Sequence, residues 1–181
     1  MRFLVVLLAL VLSLAACSGT EETLAPPDAG PAFSIQQPPS GSLSDAQLDA
    51  IAADIRRLEA RPLAAGAAEG RASLFQWISG SPDVSVSLNG DIIGPLLRSN
   101  SRFQADLLNQ FILSSAAHVI ENPGADAVET NVAGLKGALT AYTVILSQQG
   151  RRARDSFMES VRERSEAGTL RAYVEAQLGG R

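Results

Sequence analysis

The stretch that decides the fold is DAVETNVAGLKGALTAYTVILSQQG, residues 126–150. Large apolar side chains recur in it at alternating spacings of four and three residues, at Val128, Val132, Leu135, Leu139, Tyr142 and Leu146. That period places them along one face of an α-helix, as in a coiled-coil seam. Asp126 and Glu129 suit the first turn of such a helix, and Gly150 suits its end. The stretch therefore predicts a long helix that buries one face against other helices.

A line of small residues, Ala133, Gly137 and Ala141, runs beside this seam. Small side chains let two helix backbones approach closely. Lys136 interrupts the stretch with a charge, which makes a dimer within a membrane a poor explanation. We expect instead that a second helix of the same domain packs closely against this line.

Similar helical signals lie on both sides of this stretch. Before it, Ser44 with Gln47 and Ser101 with Gln104 are spaced as capping boxes, and apolar residues three and four apart follow each pair. After it, Gly168 divides the chain into two short amphipathic segments. Short connections favour antiparallel neighbours. We therefore predict an all-α domain over residues 43–181, with five or six antiparallel helices in a bundle-like arrangement.

Residues 79–95 interrupt the helical pattern for 17 residues, which is longer than a connection in a compact helical domain requires. Val84, Val86 and Leu88 alternate with serines, which permits a short extended piece, and Asn89-Gly90-Asp91 is typical of a turn. Two interpretations stay open. The loop is a flap whose apolar side chains close one end of the bundle, or it binds a partner through polar residues such as Asp83, Asn89 and Asp91.

Residues 18–42 have a different composition from the rest of the chain. They contain five prolines, three glycines and few large apolar side chains, so they cannot bury enough surface to offset the entropy of ordering. We predict that residues 17–42 form a flexible tether. As a coil, its 25 residues after Cys17 would span roughly 25–30 Å.

The N-terminus has the layout of a secretory signal. A basic Arg2 precedes an almost entirely apolar run from Phe3 to Leu14, and Ala15 and Ala16 supply small residues before Cys17, the only cysteine. The run is too short for a membrane-spanning helix, which needs about 20 residues. The signal layout predicts that residues 1–16 are removed.

The ending Leu14-Ala15-Ala16-Cys17 resembles the lipobox of bacterial lipoproteins. The resemblance implies that the Cys17 thiol is diacylated, that the chain is cut before Cys17, and that the new amine is acylated. Several acyl chains would hold the protein stably on a membrane. By the same resemblance, Ser18 favours the outer membrane, with the protein facing the periplasm or, as the alternative, the cell surface.

Charge and composition exclude several classes of function. Loss of Arg2 with the signal leaves 14 basic side chains against 19 acidic ones, and no basic face suited to nucleic acid is evident. A single histidine and an acylated cysteine cannot build a zinc or c-type haem site. No nucleophile elbow or phosphate loop occurs either. We expect no cofactor, no metal and no catalytic activity.

His118 is the one imidazole, and it falls within the apolar arc of its helix. Ser114 and Ser115 lie a turn before it, and Glu121 and Asn122 lie a turn after it, so hydrogen-bond partners are available without a catalytic role. We therefore expect a packed histidine. The carboxylate pair Glu159 and Glu163 is expected on a solvated helix face.

The resulting hypothesis is a lipid-anchored envelope protein whose helical domain binds another envelope protein or a wall component. One alternative is a binder of a small apolar ligand held between helices, around Trp77, Phe103, Phe111 and His118. Another is an assembly factor similar to the secretin pilotins, which the chain resembles only in overall plan. The candidate contact residues are therefore His118, Trp77, Asp83, Asn89 and Asp91.

Overall fold

The computed structural model describes residues 32–35, 38 and 41–180, and this part of the chain is helical without any strand. It contains seven α-helices and one short 3-10 helix, Gly150–Ala153, between the fifth and sixth. The α-helices are α1 Asp45–Ala60, α2 Ala67–Gly80, α3 Gly90–Leu97, α4 Gln104–Glu121, α5 Ala127–Gln149, α6 Ser156–Glu166 and α7 Leu170–Gly179. The predicted all-α class is confirmed. No helix among the described residues is long and apolar enough to cross a membrane.

Helix α5 corresponds to the stretch that opened the sequence analysis, and α4 packs closely on it. A Cβ atom built on Gly134 would lie 2.8 Å from a ring carbon of Phe111, and one built on Gly137 would lie 2.5 Å from Glu59 Oε1. The glycines therefore let α4 and α1 approach the α5 backbone, as the line of small residues predicts. The seam itself is shallower than expected, because only Leu135 and Tyr142 of its six side chains are buried.

The apolar core consists of two clusters, and α4 contributes to both. One cluster gathers α3, α5, α6 and α7 around Phe111 and Tyr142. The other gathers α1, α2 and Val84 around Leu58 and Leu113. Because Phe111 and Leu113 point from neighbouring positions of α4 into different clusters, that helix joins the two halves of the core.

Most of the residues predicted to begin or end a helix do so in the structure. The backbone N–H of Ser44 donates to Gln47 Oε1 at 3.0 Å, and Asp126 and Glu129 form a reciprocal capping box, with Glu129 N–H 2.7 Å from Asp126 Oδ1. Gly150 takes a positive φ where α5 ends. These interactions join residues at most three positions apart, which is why the sequence pattern could indicate them.

The capping box predicted at Ser101 is wrong. Helix α4 begins after Phe103, and the Gln104 side-chain amide donates instead to the carbonyls of Leu96 and Leu97, at 3.0 and 2.5 Å. Those carbonyls belong to the last turn of α3, where the helix leaves acceptors free. Gln104 therefore caps the end of the preceding helix rather than the start of its own.

The 79–95 loop is also shorter than predicted, because its second half is a helix. Asn89 does not form an isolated turn but caps α3, its Oδ1 accepting the N–H groups of Asp91 at 2.8 Å and Ile92 at 3.3 Å. Pro95 lies inside α3. The helix has only seven other residues, so its apolar side chains do not repeat often enough to indicate a helix in the sequence. This helix raises the count from the expected five or six to seven.

Residues 32–35, which fall inside the predicted tether, lie against α1 and α2. The Phe33 N–H donates to the carbonyl of Ala65 at 2.8 Å, and the Arg57 and Arg61 guanidiniums lie 5.5 and 5.4 Å from the centre of the Phe33 ring. Gly66 has a φ of 78°, and a Cβ atom built on it would collide with the Phe33 carbonyl oxygen, so the absence of a side chain leaves room for that backbone. The signal peptide, Cys17 and most of the tether lie outside the described residues.

Candidate functional site

The segment from Val84 to Asn89 runs without a turn or a bend between α2 and α3. Val84 is buried and Val86 is half-buried against the α1–α2 cluster, whereas Ser85 and Ser87 are exposed. This alternation is that of an extended strand with one face on a core. Within the described part of the chain, the backbone N–H and C=O groups of residues 84–88 have no hydrogen-bond partner. We call residues 84–89 the extended segment.

Both ends of the extended segment are held in place. At its start, Asp83 Oδ2 accepts the backbone N–H of Leu43 at 2.8 Å, which ties it to the residue before α1. At its end, Asn89 is 7% exposed and caps α3. A segment fixed at both ends keeps its unpaired backbone groups at a defined place on the surface.

The corner between α4 and α5 faces this segment. Helix α4 ends at Glu121, and a short turn with Gly124 at a φ of 93° leads to the Asp126 cap of α5. Ser115 Oγ donates to the carbonyl of Thr130 at 3.3 Å, which fixes the first turns of α5 on α4. The corner is therefore a rigid wall opposite the extended segment.

A groove lies between the extended segment and this corner, and it consists of two adjoining depressions of about 320 and 150 Å³. Ser87, Ala127 and Asn131 line both depressions, so the two are continuous. The remaining lining residues are Leu88, Asn89 and Leu178 at one end and Ser85, Val119, Ala125 and Thr130 at the other. The lining is a mixture of hydroxyl, amide and small apolar groups without a charged side chain.

Asn131 is the most unusual residue of the groove. Its side chain is 1% exposed, and its Nδ2 donates to the carbonyl of Ala127 at 2.8 Å. Its Oδ1 is buried and accepts no hydrogen bond from any described residue. A buried acceptor without a donor costs about 1–3 kcal/mol. Such a group requires an explanation, either in a role of that residue or in a bound water or ion.

Four carboxylates lie close in the chain to the residues that line the groove, although none of them lines it. Residues 79–97 and 122–135 contain four carboxylates, Asp83, Asp91, Asp126 and Glu129, and no basic residue. All four are exposed. The guanidinium of Arg171 on α7 lies 4.0 Å from Asp126, but it also contacts Glu175 at 3.0 Å. The field at the groove therefore favours a cationic ligand over an anionic one.

Of the five predicted contact residues, the three polar ones from the 79–95 break lie at or beside the ends of the extended segment, and of these only Asn89 lines the groove. Asn89 lines it, Asp91 follows Asn89 in the first turn of α3, and Asp83 lies at the opposite end of the extended segment. The valines of the break cover a core, as the flap interpretation predicts, while its serines line a groove, and the partner-binding interpretation stays a prediction.

The other two predicted residues lie elsewhere. Trp77 is 7% exposed within the α1–α2 cluster, whereas Phe103 and Phe111 belong to the other cluster. The structure therefore does not gather the aromatic residues of the proposed apolar ligand site. His118 is half-buried, with Nδ1 3.1 Å from Asn122 Nδ2 and a buried Nε2 that has no partner among the described residues. The sequence predicts a packed histidine with hydrogen-bond partners, and only one of its two ring nitrogens has a partner among the described residues.

The remaining polar clusters are structural. Between α1 and α4, the Ser114 hydroxyl donates to Glu59 Oε1 at 2.7 Å, and Arg56 contacts the same carboxylate oxygen at 2.5 Å. Between α5 and α6, the Tyr142 hydroxyl donates to Glu159 Oε1 at 2.5 Å, so Glu159 is not on a purely solvated face as expected. Within residues 32–35, 38 and 41–180, no group of three metal-binding side chains exists.

The sequence analysis missed Ser85, Ser87, Thr130 and Asn131. The alternation of serines with valines indicates a short extended piece but not that the serines line a groove. Asn131 lies four residues before Leu135 and three before Gly134, so a polar residue at a buried helical position was a readable signal. No family model, curated protein or solved structure matches this chain, so its function must be argued from its own residues.

Proposed function

We propose that this chain is a lipid-anchored protein of the bacterial cell envelope whose helical domain binds another envelope protein. The groove beside the extended segment is the observation that carries the binding role, because it combines unpaired backbone groups with a buried, unpartnered acceptor. Neither feature contributes to the stability of the isolated chain. Both are accounted for if a partner supplies the missing hydrogen bonds.

The sequence Leu14-Ala15-Ala16-Cys17 supports the anchor. Acyl chains on Cys17 would attach the mature chain to the membrane, with the outer membrane favoured by Ser18. The contacts of Phe33 with Arg57 and Arg61 attach residues 32–35 to the helical domain, so the proposed tether is residues 17–31. The groove would then be presented at a distance from the lipid that residues 17–31 determine.

The helices are proposed to be antiparallel where their connections are short, as the sequence indicates. Contacts between α4 and α5 support this arrangement. Ser115 meets Thr130, and Phe111, which lies earlier in α4, meets Gly134, which lies later in α5. The residue numbers therefore run in opposite directions along the two helices.

The anchor is tested by the variant Cys17→Ser expressed in a bacterial host. We expect the wild-type chain to incorporate an alkyne-labelled palmitate and to sediment with membranes, and the variant to do neither. Binding is tested by crosslinking in the same cells. Recovery of no partner by any crosslinker position on the domain would refute the binding role, whatever the result for the anchor.

A further inference from the structure

Building on the proposed function, we propose that the groove binds an extended, basic-flanked peptide segment of the partner, which adds as a strand beside Val84–Leu88. The occupant is thus defined by its chemistry: a peptide backbone in the extended conformation, with lysine or arginine at its ends. Three features of the groove define this occupant, namely its backbone edge, its buried acceptor and its charge.

The unpaired backbone groups of the extended segment are suited to pairing with the backbone of another chain. An extended segment with free N–H and C=O groups on a surface is a template for strand addition. Residues 84–89 run without a bend, and Val84 and Asn89 are both buried, so the edge is fixed in place. A strand of six residues is about 20 Å long. The extended segment therefore offers pairing positions for a strand of five or six residues.

Asn131 calls for a hydrogen-bond donor on the same occupant. Its buried Oδ1 lacks a donor, and its side chain lines both depressions. A peptide lying along the groove carries an N–H group at every residue other than proline. Such an N–H group is the kind of donor that Oδ1 lacks, whereas a lipid chain or a purely apolar ligand carries none.

Charge selects a basic peptide rather than an acidic one. The first turns of α3 and α5 both reach the groove, and helix N-termini by themselves favour anions. Here Asn89 and Asp126 already occupy those N-termini as caps, and Asp91 and Glu129 add negative charge. The four exposed carboxylates therefore outweigh the helix termini.

The test uses the full chain in a non-ionic detergent and the synthetic peptide acetyl-KTVTVTK-amide as the probe. Amide hydrogen exchange is followed residue by residue by NMR, with the peptide at millimolar concentration. Because alternate N–H groups of a strand point to the same edge, we expect exchange to slow by about tenfold or more at alternate residues only, either Val84, Val86 and Leu88 or Ser85 and Ser87. Unchanged exchange throughout residues 84–88 overturns the proposal.

Two matched probes separate the backbone from the side chains and the charge. A peptide with the same side chains but with N-methyl groups at alternate residues should lose at least tenfold in affinity, because its pairing edge is blocked. The acidic peptide acetyl-ETVTVTE-amide should bind at least threefold more weakly at low salt. Equal binding of the N-methylated peptide, or tighter binding of the acidic one, contradicts the proposed occupant.

Two charge variants locate the effect on the protein. Asp91→Asn removes a carboxylate two residues from Asn89, which lines the groove, whereas Glu69→Gln removes one on α2, a helix that contributes no lining residue. We expect the first variant to weaken KTVTVTK binding about two- to threefold at low salt and the second to leave it unchanged. An equal effect of both would show non-specific attraction and would contradict a site at the groove.

The same site can be examined in cells with a photoreactive amino acid introduced at Ser87 in the groove or at the exposed Thr143 of α5. A partner crosslinked from position 87 but not from position 143 supports both proposals. A partner crosslinked from position 143 alone leaves the protein-binding role intact and overturns the groove as its site. The two failures are therefore distinguishable.

Discussion

At the scale of single residues, the two glycines of α5 decide how closely α4 and α1 can pack. The positions where Cβ atoms of Gly134 and Gly137 would lie are occupied by Phe111, by Ser114 and Ser115, and by Glu59. Neither glycine has a positive φ, so only space, and not backbone conformation, requires glycine there. The same packing brings the polar side chains of α4 into contact with the α5 backbone.

We expect Gly137→Ala to destabilise the fold by about 1–3 kcal/mol, because overpacking of Ser114 and Glu59 outweighs the gain in helix propensity of about 1 kcal/mol. The measurement is the free energy of unfolding in urea. Gly90→Ala is the matched control, since open space surrounds that glycine in α3. Equal stability of the two variants would mean that α5 does not need small residues at this contact.

At Asn131, in contrast to Gly137, we expect one substitution to stabilise the fold. Replacing Asn131 by leucine removes a buried acceptor that lacks a donor, so we expect Asn131→Leu to raise the free energy of unfolding by about 1 kcal/mol. Asn131→Asp, which buries a charge at the same place, should lower it. Urea unfolding of both variants is the measurement. A loss of stability on change to leucine would show that the amide serves the fold rather than a ligand.

At the scale of elements, a buried hydrogen-bond network fastens α6 and the α3–α4 connection to α5. The hydroxyl of Tyr142 donates to Glu159 and accepts the backbone N–H of Asp155 at 3.2 Å. Asp155 in turn caps α6 through Met158 N–H, at 2.9 Å, and binds the hydroxyl of Ser99. Three separate elements therefore depend on one phenol.

Burial, with help from Glu159, raises the pKa of Tyr142 from 10.0 to about 12. Because the folded-state pKa is the higher one, the neutral phenol stabilises the fold below pH 10, and this contribution is lost as the pH rises from 10 to 12. We expect Tyr142→Phe to lower stability at pH 7 by about 1 kcal/mol and to flatten the decline above pH 10. Urea unfolding at several pH values measures both effects.

Tyr173 is the control for this pH dependence, since it is the only other tyrosine and burial also raises its pKa. Tyr173→Phe should leave most of the decline between pH 10 and 12 in place. If Tyr142→Phe retains the full decline, the titration of another group causes it, and the network argument fails.

The segment around Phe33 lies against α1 and α2 through few contacts. It is held by the contacts of the Phe33 ring with two guanidiniums and by one backbone hydrogen bond, and it approaches Gly66 and Gly70 closely. Cation–π contacts at exposed sites contribute about 0.5–1 kcal/mol each. We expect Phe33→Ala to release the segment, so that limited proteolysis cuts near residue 33 sooner than in the wild type.

Ala32→Ser serves as the control for the proteolysis experiment, because Ala32 is exposed and lies beside Phe33. It should leave the rate of cleavage unchanged. The same rate in Phe33→Ala as in the wild type would show that the ring does not hold the segment. Unfolding in urea should change little in any of these variants, because the segment lies at the edge of the core.

At the scale of the whole molecule, α4 links the two apolar clusters, so we expect them to unfold together. Ile145→Ala removes a fully buried side chain from the cluster that does not contain Trp77 and should cost about 2–5 kcal/mol. Trp77 is the only tryptophan, so its fluorescence reports the other cluster. Fluorescence and circular dichroism should therefore show the same lowered midpoint. Separate midpoints would indicate two independent halves.

The sequence by itself determined the all-α class and several of the helix ends. Capping residues such as Asp126 and Glu129, helix-ending glycines such as Gly150, and apolar spacings of three and four all act over a single turn, so they are readable without the fold. The same holds for Cys17, whose predicted acylation depends on adjacent residues and stays a prediction here.

Only the tertiary structure decided which surfaces meet. The side chain of Gln104 turned to the carbonyls of α3, and the glycine face of α5 became more buried than its large apolar seam. The groove joins residues 85–89 with residues 119–131 and Leu178, which no local pattern relates. The physical reason is that these choices depend on space and on unpaired polar groups between distant elements, which exist only once the chain has packed.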